Sequence, residues 1–280
     1  MMASFPRPEL LASADWLAES LGRPGVRVVD CRWRPDGTAG ELFAASHVEG
    51  AARVDWVADL LDPDSAVPFQ LGGPEPVAAT AGRAGIGDGS VAVLYDDTAA
   101  LYAARVWWSL RAYGFTSARI LDGGYRRWQE SGLPVASGAG DVAPAVFTPR
   151  ADMRVRVSAA EVRTSLGDGR SHIVDARSPA EYRGQEGHAA RLGHIPQAVN
   201  IPAVLLTVPG GGEFRPAAEL QRLVSAAGVT RGRRVIAYDT TGVGAAKLAF
   251  ALALLGYDDV GVYDGGWAEW GERTDLPIER

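Results

Sequence analysis

The chain has 280 residues, 47% of them hydrophobic and 22% charged, enough apolar surface for one large core or for two domains of about 140 residues. Its net charge of −6 gives no electrostatic reason to expect nucleic acid or an anionic membrane as a partner, and no run approaches the ~20 apolar residues that a transmembrane helix needs. One cysteine, Cys31, excludes an intramolecular disulfide and a cysteine-based zinc site; with no apolar core of signal-peptide length near the start, a reducing cytoplasm is the expected setting.

In chain order, Val26–Asp30 is a short apolar run ending at a polar residue, the pattern of a buried parallel strand. Ser90–Tyr95 repeats that pattern. Ala100–Tyr113 has the length and spacing of a helix, and Ala118–Leu121 returns to strand. The segment Ala136–Arg156 carries Gly138, Gly140, Pro144 and Pro149 without a clear period and reads as a linker. Ser158, with Glu161 three residues on, is a capping-box start. Arg234–Tyr238, Val243–Leu255 and Val260–Tyr263 then read as strand, helix and strand. Strands alternating with helices predict parallel sheets covered on both faces.

The chain also repeats itself. Val28-Val29-Asp30-Cys31-Arg32 matches Ile173-Val174-Asp175-Ala176-Arg177, and His47-Val48-Glu49-Gly50-Ala51 matches His194-Ile195-Pro196-Gln197-Ala198. Leu94-Tyr95-Asp96 matches Ala237-Tyr238-Asp239, and Asp122-Gly123-Gly124 matches Asp264-Gly265-Gly266. The separations are 145, 147, 143 and 142 residues, so one α/β domain is present twice. The expected division is 1–138, a linker at 139–157, and 158–280.

Ligands of open parallel sheets bind beyond the carboxyl ends of the strands, which points to the loop after Tyr238. Asp239, Thr240, Thr241, Gly242, Val243 and Gly244 lie there, between a strand and a long apolar helix. Successive N–H groups with a helix N-terminus behind them form a concave anion site, and the glycines permit a tight turn. A cysteine opening such a loop would be held as a thiolate.

The chain resembles the rhodanese family, specifically the two-domain thiosulfate and 3-mercaptopyruvate sulfurtransferases. In the first half the likeness rests on HVEGAARVDWVADLLDP, AARVWWSLRAYGF and ILDGGYRRW. In the second it rests on VDARSPAEYRG, GHIPQAVNIP, ALALLGYDDVGVYDGGWAEWGE and LPIE. It implies two similar domains, each with a parallel five-stranded sheet flanked by helices, and transfer of sulfane sulfur through a cysteine persulfide. It implies no cofactor and no metal. It implies a small anionic sulfur compound or an acceptor thiol as ligand, and leaves room for a protein partner. The family loop reads Cys-Gly-(Ser/Thr)-Gly-Val-Thr, and here only Thr241, Gly242 and Val243 agree. Asp239 stands in the cysteine's place, as Asp does in the family's non-catalytic first domain and as Asp96 does here. By the same resemblance, Arg183 and Arg191 are the candidate substrate-binding arginines.

A carboxylate cannot form a persulfide, and it would accept the loop N–H bonds itself. Its charge would also repel an anionic substrate by about 4 kcal/mol at ~4 Å in an effective dielectric near 20. The expected function is a binding or regulatory module without persulfide chemistry, a pseudoenzyme. Two alternatives stay open: a weak sulfurtransferase, one working through Cys31 included, and a hydrolase using Asp239. The duplicated His47 and His194 read as structural, bonding loop backbone. Trp107, Trp108, Trp128, Trp267 and Trp270 read as core or interdomain contacts, and Glu181, Asp264 and Glu269 as solvated or structural side chains.

Overall fold

The computed structural model describes residues 4–280. In the first half the strands are β1 (Leu11–Ala12), β2 (Val26–Asp30), β3 (His47–Val48), β4 (Ala51–Arg53), β5 (Val91–Tyr95), β6 (Ala118–Leu121) and β7 (Val135–Ala136). The helices are α1 (Ala14–Ser20), α2 (Ala39–Ala45), α3 (Trp56–Leu60), α4 (Pro74–Arg83), α5 (Leu101–Ala112) and α6 (Gly124–Glu130). The second half has β8 (Arg156–Val157), β9 (Ser171–Asp175), β10 (Val199–Asn200), β11 (Arg234–Tyr238) and β12 (Val260–Tyr263). Its helices are α7 (Ala159–Ser165), α8 (Pro179–Tyr182), α9 (Ala217–Ala226), α10 (Val243–Leu254) and α11 (Gly266–Trp270).

The first sheet has the order β1-β6-β5-β2-β4 and the second β8-β12-β11-β9-β10, five strands each and all parallel. The two orders coincide, so the duplication read from four short matches extends to the whole topology. The predicted strands and helices fall where expected to within a residue or two. Arg156 and Val157, at the end of the segment read as linker, form the edge strand β8 against Val262 and Tyr263. The rest of the linker lies along the first domain, with Ala145, Arg150 and Asp152 donating to the carbonyls of Gly82, Tyr113 and Ala112.

Helices α5 and α10 explain how the halves join. All twelve residues of α10 are buried, and nine of α5. A helix apolar all round must be covered all round. The two pack on each other across the domain boundary, with Trp107 meeting Phe250 edge-on at 5.0 Å. Trp107, Trp108, Trp128, Trp267 and Trp270 are all buried. One hydrophobic core, holding Trp107 and Trp108, runs through both domains, while Trp128 packs in a second cluster within the first domain and Trp267 and Trp270 in a third within the second. Matching ion pairs pin the ends of the central strands: Arg32 to Asp30 and Arg177 to Asp175, each at 2.6 Å and fully buried. Ser158 and Glu161 form the predicted capping box, and Ser178 and Glu181 form a second one that starts α8.

Candidate functional site

Strand β11 delivers Asp239 to the carboxyl edge of the second sheet, and α10 begins four residues later. Gly242, at φ +81°, turns the chain between them; a Cβ there would lie 2.6 Å from Arg105 Nη1. The turn aims two amides back at Asp239. Gly242 N–H donates to Oδ1 at 2.5 Å and Gly244 N–H to Oδ2 at 2.8 Å. The Asp239 residue keeps some exposure, while protein surrounds its carboxyl group. Burial pushes the pKa upward, opposed by the Gly244 and Gly242 amides and by the Arg105 charge.

The loop is tied down on both sides. Thr240 Oγ1 donates to Glu181 Oε1 at 3.2 Å, linking the loop to α8. The Asp239 and Thr240 carbonyls accept from Trp267 and Ala268 at the start of α11. Thr241 is half-buried, and Val243 and Gly244 are buried as the first residues of α10.

Arg105 comes from the first domain, and reading the sequence did not single it out. It is fully buried, donates to Asp264 Oδ1 at 2.7 Å, to the Phe69 carbonyl at 2.6 Å and to the Gly242 carbonyl at 3.3 Å, and so reaches the loop itself. Asp264 Oδ2 accepts from Leu71 N–H across the boundary at 2.8 Å. Asp122, the equivalent residue of the other copy, accepts from Phe214 N–H at 2.9 Å in the opposite direction. A signal was present in the sequence: a charge inside the apolar AARVWWSL run demands a buried partner.

The two arginines inferred from resemblance separate. Arg183 ends α8, is exposed, and its guanidinium meets Gln185 Oε1 at 3.2 and 3.3 Å. Arg191 is spent on the backbone, donating to the carbonyls of Trp270, Gly271, Arg273 and Leu276. That arrangement clamps the C-terminal segment. Cys31 is fully buried with its thiol on the Val29 carbonyl at 3.7 Å. Burial, with the charges of Asp30 and Asp96, raises its pKa well above the ordinary range. His47 and His194 contact the carbonyls of Phe43 and Tyr182 through Nδ1, each at 2.8 Å.

A cavity of about 550 Å³ lies between the domains beside Tyr113, Arg156, Ser158 and Glu269, and none of residues 239–244 lines it. The loop amides of Gly242 and Gly244 are thus taken up by the loop's own Asp239 side chain.

The matching family model is the Rhodanese-like domain, over residues 13–131 and again over 158–273. The chain is 32% identical to the sulfur carrier protein TtuD of Thermus thermophilus, over 99% of this chain and 98% of that one. It is 34% identical to the 3-mercaptopyruvate sulfurtransferase of Homo sapiens, over 98% and 95%. The crystal structure of the Escherichia coli 3-mercaptopyruvate sulfotransferase SseA superposes with a TM-score of 0.82 at 30% identity, covering 92% of this chain and 98% of that one. Two parallel sheets of one topology, each ending in an amide-lined loop, define a tandem sulfurtransferase scaffold. The chain belongs to the rhodanese family and is a homologue of its 3-mercaptopyruvate and thiosulfate sulfurtransferases.

Proposed function

We propose that this chain is a rhodanese-family member without persulfide chemistry, acting as a binding or regulatory module. One observation carries the reading: the Asp239 carboxylate occupies the amides that would otherwise receive an anion, through Gly242 at 2.5 Å and Gly244 at 2.8 Å. An oxygen acid there has no sulfur to load, and its charge disfavours thiosulfate or a mercaptopyruvate carboxylate. Arg183, exposed beside a helix tied to the loop, is the anion contact this reading retains. A sulfur compound, an acceptor thiol or a sulfur-carrying protein like those its relatives are named for is the expected partner.

The alternatives gain less support. Cys31 is fully buried and held as a thiol, the opposite of a reactive thiolate. A hydrolytic Asp239 would need a free oxygen aimed at substrate, and both of its oxygens accept from the loop.

The test is incubation with thiosulfate, followed by intact-mass analysis and a cyanide-dependent thiocyanate assay. The expected result is no sulfur adduct and thiocyanate at background. Turnover at ordinary enzymatic speed, persisting in Cys31→Ser, would refute the reading.

A further inference from the structure

The cavity of about 550 Å³ between the domains is lined by one arginine and by carboxylates, and their charges do not cancel in close pairs. Arg156, on β8, has one carboxylate neighbour among the described residues: its Nε stands 3.5 Å from Asp264 Oδ2. Asp264 is already answered, because its Oδ1 takes Arg105 at 2.7 Å and its Oδ2 the Leu71 N–H at 2.8 Å. The guanidinium of Arg156, 32% exposed, therefore has donors to spare for another partner.

Negative groups on the same wall are also loosely matched. Glu161 Oε2 accepts from the Ser158 amide at 2.8 Å and hydroxyl at 2.7 Å, whereas its Oε1 has neither a hydrogen bond nor a cation among the described residues. Glu269 Oε2 accepts from the Tyr263 hydroxyl at 2.9 Å. Its Oε1 meets Arg273 only at 3.4 Å, and Asp275 holds Arg273 more closely, at 2.7 Å. Pro74, Ala112, Val157 and Ala159 supply an apolar wall. A cavity of this volume with apolar walls and a few convergent polar groups is of the kind that takes a small molecule. A purely anionic ligand would face Glu161 and Glu269, and a purely cationic one Arg156. A molecule carrying both charges meets an opposite charge at each.

We propose that this cavity binds a zwitterion, an α-amino acid with an apolar side chain. Its carboxylate pairs with Arg156, its ammonium with Glu161 and Glu269, and its side chain lies against the apolar wall. None of residues 239–244 lines the cavity, so the site is independent of whether the Asp239 loop moves sulfur.

The probe is L-leucine, titrated into the intact protein by isothermal calorimetry at neutral pH. Two truncated forms accompany it: 3-methylbutylamine, which lacks the carboxylate, and 4-methylpentanoate, which lacks the ammonium. Leucine should bind about tenfold more tightly than either, the value of one charge-assisted contact. Arg156→Gln should erase its advantage over the amine, and Glu161→Gln should narrow its advantage over the acid. Both variants should keep the wild-type circular dichroism, since Asp264 retains Arg105 and glutamine also completes a capping box. Absence of leucine binding at millimolar concentration, a truncated form binding as well as leucine, or a preference untouched by both substitutions would each overturn the proposal.

Discussion

Asp96 and Asp239 occupy equivalent places, each ending the central strand of its sheet and opening the turn into a buried helix. Their surroundings differ. Asp96 accepts four amides, those of Thr98 and Ala100 on Oδ1 and of Tyr102 and Ala103 on Oδ2, at 2.7–2.9 Å. Asp239 accepts two. The backbone gives the reason. In the first loop Ala99 and Ala100 are both left-handed, at φ +55° and +63°, a conformation that costs an alanine roughly 1 kcal/mol. Two consecutive left-handed residues turn successive N–H groups inward, and the carboxylate holds them there. The second loop uses one left-handed glycine, gathers fewer amides, and leans on Arg105 from the other domain. An anion site can therefore be closed from within by its own backbone, or closed in part and steadied by a neighbour.

The comparison breaks most sharply at Arg105. Arg105→Ala would strip the buried Asp264 of its shorter ion pair, leaving only Arg156 at 3.5 Å, and remove the bond to the Gly242 carbonyl. The expected loss is about 3–5 kcal/mol, read as a lowered Tm. A loss below about 1 kcal/mol would mean that the cross-domain pair does not steady the second loop.

Asp96→Asn comes next. Either oxygen replaced by an NH2 group would confront two N–H donors, and the alanines would lose what offsets their strain. About 2–3 kcal/mol should be lost. The domain boundary offers a change of opposite sign. Burial, with help from Glu213, raises the Asp122 pKa to about 6. A carboxyl whose folded pKa lies above its unfolded value favours folding most below about 4. That contribution is lost as pH rises to about 6, because above it the buried group carries an uncompensated charge. Asp122→Asn keeps an oxygen for Phe214 N–H and should raise stability by about 1–2 kcal/mol at neutral pH, with little gain at pH 4. Equal gains at both pH values would remove the charge from the explanation.

These residues also mark how far the sequence could be read. The duplicated VVDCR and IVDAR runs, the DGG turns and the apolar segments gave strand, helix and repeat because strands buried on both faces must be apolar and their polar ends must lie at the sheet edge. Asp239 was legible as the residue opening the loop. Arg105 and Lys247 were not placed, because their partners lie 159 and 40 residues away in sequence, at Asp264 and Thr207. The backbone contacts of Arg191 were illegible for a related reason: position relative to a motif does not say which carbonyls a guanidinium will find. The difference between two amides and four was equally invisible, since it depends on which residues turn left-handed, and alanine gives no hint that it will.

The finest cut through the comparison is Asp239→Asn. Each Asp239 oxygen accepts a single N–H, so the amide side chain keeps one bond and sets its NH2 against one donor instead of two. Thr240 and the start of α11 continue to hold the loop. The neutral side chain also avoids the burial cost that raises the carboxyl pKa of Asp239. A lost charge-assisted bond and a relieved desolvation penalty pull in opposite directions, leaving a net cost of about 1 kcal/mol or less. The decisive measurement is the ratio of the two Asn variants under one condition. A larger loss at 239 than at 96 would show the second loop to be the more completely self-filled of the two, and the contrast drawn between them would be reversed.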